Sequence, residues 1–162
     1  MGEFLSGGSF PTEFESQPIL ELSSEFRTYL GSKTDYGVPY TSKIARDAIT
    51  EFLGSHGARN ELIIYTNDAG QRVKTTEAAS IAGSIIRTMG EGFEKSGKKN
   101  RGDHDDDAGE KRQLTRIHLA IRNRIAIVGS EVSQSFPDDK KSQARKERLE
   151  RELTLLKILV TN

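Results

Sequence analysis

Residues 110–128, EKRQLTRIHLAIRNRIAIV, have apolar side chains at steps of three and four residues, and this spacing predicts an amphipathic helix. The apolar ridge consists of Leu114, Ile117, Ile121, Ile125 and Val128. Basic side chains occupy much of the remaining surface. One face of this helix therefore suits a protein core, and the other suits solvent or an anionic partner.

Four more segments show the same helical period, and a strand-like pair lies between two of them. We expect helices over residues 18–30, 42–53, 76–94 and 139–160, with 110–128 as the fourth of five. The β-branched stretch ELIIYT, the turn residues NDAG and the stretch QRVKT predict a β-hairpin over residues 61–74. The fold class predicted is mainly α, a four- to five-helix bundle with one β-hairpin and a long charged loop.

Composition changes along the chain predict its organisation. Residues 1–17 contain three glycines and isolated phenylalanines, which indicates a flexible N-terminal arm. Residues 18–130 form the predicted helical core, which includes the hairpin and a mobile charged loop over 95–111. Residues 131–162 are expected to be a C-terminal helical extension.

The composition limits the chemistry available to the chain. Its 162 residues include 24 Lys and Arg, 24 Asp and Glu and no cysteine, so disulfides, thiol nucleophiles and thiolate metal sites are excluded. Hydrophobic residues make up 34%, below the roughly 45–50% of an average domain. A thin core is expected, with some apolar surface left for a partner. No apolar run approaches the length of a membrane span, and we expect neither a membrane partner nor a signal peptide.

Catalytic and metal-binding motifs are incomplete. The stretch from Gly92 to Lys99 resembles a phosphate-binding loop, but Lys99 stands where a Ser or Thr would bind magnesium. The acidic run from Asp103 to Asp107 has neither the glycine nor the final glutamate of a calcium loop. The three histidines are far apart in sequence. We therefore expect no enzyme, no cofactor, no metal and no small-molecule substrate.

A basic strip remains as the candidate functional surface. It combines the loop with helix 110–128, and its residues are Lys98, Lys99, Arg101, Lys111, Arg112, Arg116, Arg122 and Arg124. Cations on one helix beside a loop are suited to neutralising phosphates, the main sequence-independent term in nucleic-acid affinity. An ordinary solvated helix face is the alternative.

The C-terminal stretch LTLLKILV, residues 153–160, is apolar almost all round. Such a helix end is either the last core element or an oligomer contact. In the second case the interface residues would be Phe10 and Phe14 of the arm together with Leu153, Leu155, Leu156, Ile158 and Leu159.

The order of elements resembles that of tobamovirus-type rod coat proteins over residues 18–130. Local similarity lies at Lys43-Ile44-Ala45-Arg46, and at Asp106-Asp107-Ala108 ahead of Ala120-Ile121-Arg122. The resemblance implies a helical assembly in which carboxylates at 105–107 repel across subunits. It also implies RNA contacts by Arg87, Arg101, Arg112, Arg116 and Arg122.

These observations favour a non-enzymatic structural protein that self-assembles as a homo-oligomer and packages nucleic acid, in the manner of a coat or nucleocapsid subunit. Its location would be intracellular or in a virion. Two alternatives remain open. One is a winged-helix-like DNA-binding module built on helix 42–53, the hairpin and helix 76–94. The other is a helical adaptor that binds a protein partner through residues 153–160.

Overall fold

The computed structural model describes residues 22–33, 40–66, 69–90, 93 and 106–161, and at 106–108 it describes the backbone alone. Within these ranges five helices and one antiparallel hairpin follow each other as α1 (Ser24–Gly31), α2 (Ser42–Ser55), β1 (Ile63–Thr66), β2 (Arg72–Thr75), α3 (Glu77–Met89), α4 (Asp106–Val132) and α5 (Lys140–Ile158). The prediction of a mainly α fold with one β-hairpin is confirmed.

Polar side chains fix the starts of four helices. Thr41 Oγ1 accepts a hydrogen bond from the Ile44 N–H at 3.0 Å, and Asp139 Oδ1 accepts one from the Ser142 N–H at 2.8 Å. Ser23 and Thr76 cap α1 and α3 in the same way. These bonds satisfy N–H groups that have no partner inside the helix. The cap at Ser23 makes α1 begin later than the predicted start at residue 18.

Two predicted boundaries are wrong around the charged loop. Helix α3 ends at Met89 because Gly90 has φ 74°, a left-handed conformation that glycine adopts without strain. The continuous helix expected over 76–94 is therefore broken at Gly90. Helix α4 begins at Asp106, so the last residues of the expected loop are helical.

The helices pack around one continuous core. Helix α3 packs against both α2 and α4, α5 packs on α4 and is tied to α3 through the Arg151–Glu77 pair, and α1 packs on α2. Phe26 and Phe52 meet at a ring-centroid distance of 5.1 Å between α1 and α2. The core then continues through Ile85 of α3 and Ile121 of α4. The apolar ridges predicted for these helices face this core.

The C-terminal helix belongs to the core, and this corrects two predictions. Leu155, Leu156 and Leu159 are buried against this chain's own side chains, while Leu153 and Ile158 are half-buried against the same cluster. Leu156 and Leu159 therefore offer no surface to a second copy, and Leu155 offers only the 4% of it that is exposed. For the same reason residues 131–162 are not an extension, because α5 closes the bundle against α4.

Both ends of the described chain meet in the fold. Leu22 forms an isolated antiparallel β-bridge with Val160, and the Ser23 N–H donates to the Leu159 carbonyl at 3.0 Å. The backbone before α1 is thereby fixed to the end of α5.

Several sequence predictions lie outside the described residues. They are the N-terminal arm with Phe10 and Phe14, and the central part of the charged loop with Lys98, Lys99 and Arg101.

Candidate functional site

A groove of about 600 Å³ opens between the hairpin, α3, α4 and α5. Five cations from three helices line it, together with three carboxylates and six hydroxyl side chains. We call it the basic groove, and its cations are Arg87, Arg124, Lys141, Arg145 and Arg148. In a concave site such charges act together, because low-dielectric walls concentrate their field.

Helical spacing explains why these side chains share the groove. On α5, Lys141, Arg145 and Arg148 lie four and three residues apart, so they project from one face. On α3, Ser84 and Arg87 are also three residues apart, and the Arg87 guanidinium donates to Ser84 Oγ at 3.3 Å. Two helices thus present a polar stripe each to the same cleft.

Two ion pairs join α4 to α5 along the floor of the basic groove. Arg124 and Glu152 are 2.8 Å apart with side chains only 12% and 17% exposed, and Arg145 lies 2.7 Å from Glu131. The buried Arg124–Glu152 pair cannot separate without leaving a charge unpaired, whereas Arg145, whose side chain is 52% exposed, pairs with Glu131 nearer the surface. Lys141 and Arg148 form no ion pair with any residue that the structure describes, so their charges remain for a ligand.

Two buried donors in the basic groove have no hydrogen-bond partner within the described ranges. They are the Tyr65 hydroxyl, on the inner face of β1, and Arg124 Nε. Burial, and then the nearby negative charge of Glu77, raises the pKa of Tyr65, so its hydroxyl keeps its proton and can donate it in a hydrogen bond. Both atoms are shielded from solvent, so they lie behind the surface of the basic groove.

A buried acid fixes one end of the basic groove. Glu77, at the start of α3, accepts two hydrogen bonds from the Arg151 guanidinium, at 2.6 and 2.7 Å, and one from the Arg59 N–H at 2.9 Å. Burial alone would raise the pKa of Glu77, but the hydrogen bonds from Arg151 and Arg59 outweigh it and lower the pKa. Glu77 is therefore an ionised tie between α3 and α5.

The basic strip predicted from the sequence does not form one surface. Arg87 and Arg124 line the basic groove, whereas Lys111 and Arg112 are exposed in the early turns of α4. Arg116 and Arg122 have structural roles. The first donates to the Met89 carbonyl at 2.5 Å, at the end of α3, and the second donates to the Thr161 carbonyl at 2.7 Å.

Sequence reasoning missed Lys141, Arg145 and Arg148. The four- and three-residue spacing on α5 was the available signal, but a charged stripe on a helix is usually an ordinary solvated face. Only the packing of α5 beside α3 and the hairpin turns this stripe into the wall of a groove.

The packing also bears on the two alternative functions. Helix α3, the recognition helix of the winged-helix alternative, packs against α2 and α4, and part of its remaining surface lines the basic groove. The adaptor alternative relies on residues 153–160, of which four are buried.

Two other features bear on function: clusters of metal-ligating side chains and helices that could span a membrane. No group of three metal-ligating His, Asp or Glu side chains occurs in the ranges that the structure describes. None of the helices described there is long and apolar enough to cross a bilayer. Comparison of the chain with family models, curated proteins and solved structures gives no match.

Proposed function

We propose that this chain is a non-enzymatic structural subunit that self-associates and binds single-stranded nucleic acid, as a coat or nucleocapsid protein does. The observation that carries the proposal is the basic groove, where cations and hydroxyl groups from the hairpin and three helices converge.

The chemistry of the basic groove fits a phosphodiester backbone. Lys141 and Arg148 are seven residues apart, or about 10 Å along the helix axis, which suits successive anionic groups better than one small anion. Hydroxyl groups of Ser80 and Thr75 add donors of the kind that contact phosphate and sugar oxygens.

The size of the groove favours a single strand. A cleft of about 600 Å³ admits a short segment of one backbone, whereas a duplex would reach only its rim. Tyr65 is the one aromatic side chain among the lining residues, so sequence-specific stacking of several bases is not expected. Binding should therefore depend on salt and be tolerant of sequence.

The salt dependence of binding tests the proposal. Fluorescence anisotropy of a labelled oligo-uridine should give a slope of log K against log salt of roughly −0.7 for each phosphate neutralised, or about −1.4 to −2.1 for two or three. The double variant Lys141→Gln/Arg148→Gln should reduce this slope by about 1.4 units.

Matched variants locate the site. Lys146→Gln/Lys157→Gln removes two charges from the same helix without touching a lining residue, and its slope should stay at the wild-type value. Lys111→Gln/Arg112→Gln tests the strip predicted from the sequence. The proposal for the basic groove is contradicted if the Lys111 and Arg112 variant loses the slope and the Lys141 and Arg148 variant keeps it.

A further inference from the structure

The outer face of the hairpin is apolar and basic. The strand register pairs Ile64 with Lys74 and Thr66 with Arg72, so these side chains share the face that points away from the helices. Leu62 continues the same alternation. Leu62 is 59% exposed and Ile64 is 49% exposed, while Arg72 and Lys74 are exposed beside them. We call Leu62, Ile64, Arg72 and Lys74 the hairpin face.

A second groove, of about 350 Å³, lies between the end of α2 and α5, with Leu155 and Ile158 among its apolar lining and Glu147 and Glu150 beside them. His56 and Arg151 also line it, but each is paired with a carboxylate, Glu25 and Glu77 respectively, so among the described residues the two glutamates carry its unpaired charge. We call it the acidic groove. The spacing of Glu147 and Arg151 would allow an ion pair, but Arg151 is held by Glu77 instead. Within the described residues neither Glu147 nor Glu150 forms an ion pair.

We infer that the hairpin face of one copy docks in the acidic groove of another copy. The match has two parts: two aliphatic side chains meet an apolar floor, and two cations meet two carboxylates. A two-stranded hairpin exposed on one face is marginal in water, so covering that face also stabilises it. None of the hairpin-face residues lines the acidic groove of its own chain, so a hairpin face that docks in this groove comes from a second copy.

This docking has a consequence for the form of the assembly. The two surfaces differ, so each copy uses its hairpin face towards one neighbour and its acidic groove towards the next. Such head-to-tail contacts give a ring if the rotation closes and an open helical filament if it does not. The inference rests on the proposed function, because it names the contact through which the subunit self-associates.

Charge reversal tests the docking without nucleic acid. Sedimentation velocity over a concentration series should show association of the wild-type chain. Arg72→Glu/Lys74→Glu and Glu147→Lys/Glu150→Lys should each weaken it about tenfold or more, because like charges then face each other across the contact.

An equimolar mixture of these two variants provides the decisive measurement. In the mixture, the reversed hairpin face of one variant meets the reversed groove of the other, and the two unreversed surfaces also meet. Association should therefore return to near the wild-type level. Arg27→Glu/Arg46→Glu, which reverses two exposed cations on α1 and α2, is the matched control and should associate like the wild type.

Three results would overturn the inference: a wild-type chain that stays monomeric, reversal variants that associate normally, or a mixture that does not recover. Circular dichroism melting of each variant confirms that the exposed substitutions leave the fold intact. Anisotropy with oligo-uridine separates the two proposals, because neither reversal removes a cation of the basic groove. If the wild-type chain binds oligo-uridine but does not associate, the docking alone is refuted. If the wild-type chain does not bind oligo-uridine, the proposed function is refuted.

Discussion

Replacing Gln113 by leucine should be among the most destabilising single changes in this protein. The Gln113 side chain is fully buried in α4. Its Oε1 accepts a hydrogen bond from the Tyr40 N–H at 2.8 Å, and its Nε2 donates to the Tyr40 carbonyl at 2.7 Å and to the Phe93 carbonyl at 3.2 Å. Leucine has a similar size but forms none of these bonds, so three buried backbone groups lose a partner.

The expected loss follows from those three groups. A buried polar group left without its partner costs roughly 1–3 kcal/mol, so three cost about 3–9 kcal/mol, and burial of the added apolar surface returns about 1 kcal/mol. We expect the free energy of unfolding to fall by about 2–8 kcal/mol, a large part of a typical total of about 5–15 kcal/mol. At roughly 2–4 °C for each kcal/mol in a chain of this size, Tm should fall by about 4–32 °C.

Urea denaturation followed by far-ultraviolet circular dichroism measures this change. Gln143→Leu is the matched control, since Gln143 is an exposed glutamine whose Nε2 donates to the Pro137 carbonyl at 3.1 Å. It should stay within about 0.5 kcal/mol of the wild type. A Gln113→Leu variant that is equally stable would refute the account of Gln113 as a buried tie.

A second variant at the same position tests the hydrogen bonds themselves. In Gln113→Glu the carboxylate still accepts from Tyr40 but faces two carbonyl oxygens, so its protonated form is favoured in the fold. The folded pKa is then above the ordinary value of about 4.3, and the variant loses stability relative to the wild type as pH rises from about 4. A stability difference that does not change with pH would contradict this geometry.

Three further predictions concern a pH-dependent contact, a buried ion pair and the C-terminal core. Hydrogen bonds from the His56 ring to Glu25 and to the Phe52 carbonyl raise the pKa of His56. The stabilising contribution of His56 is therefore complete below about pH 6.5 and is lost as pH rises through the raised pKa. Urea midpoints from pH 6 to 9 should show this fall in the wild type and not in His56→Phe. Glu77→Gln should lower the free energy of unfolding by about 2 kcal/mol, because it leaves the Arg151 guanidinium without its carboxylate. Leu156→Ala should cost about 2–5 kcal/mol by opening a cavity, and should leave self-association of the remaining folded protein unchanged.

Matched variants accompany these three predictions. Glu25→Gln should remove the same pH dependence as His56→Phe, since it removes the other side of the contact. Glu61→Gln and Leu119→Ala change exposed residues of the same types and should alter stability by less than about 0.5 kcal/mol. A Leu156→Ala chain that keeps its stability and loses self-association would restore the interface interpretation of residues 153–160.

Local signals in the sequence were sufficient for the helices and the hairpin. The three- and four-residue spacing of Leu114, Ile117 and Ile121 placed the buried face of α4, and Thr41 marked the start of α2. These features depend on neighbouring residues only, so the sequence carries them directly. The sequence did not decide whether the end of α5 lies in the core or in an interface, because an apolar helix end has the same residue pattern in both.

The candidate site could not be assembled from the sequence for a physical reason. Arg116 and Arg122 look like ligands on a helical wheel, yet long-range packing brings backbone carbonyls within their reach. Lys141 and Arg148 look like solvated charges, yet the hairpin and α3 face them across a groove. The roles of charged side chains depend on which segments meet in space, and periodicity does not contain that information.

The β-bridge between Leu22 and Val160 brings the two ends of the described chain next to each other. A circularly permuted gene that joins Leu22 to Thr161 through a short linker and opens the chain between Gln134 and Ser135, in the exposed connection from α4 to α5, should therefore still give the native bundle. Such a permutant would place fluorescent or affinity tags far from the Leu22 bridge while keeping the hairpin and both grooves intact.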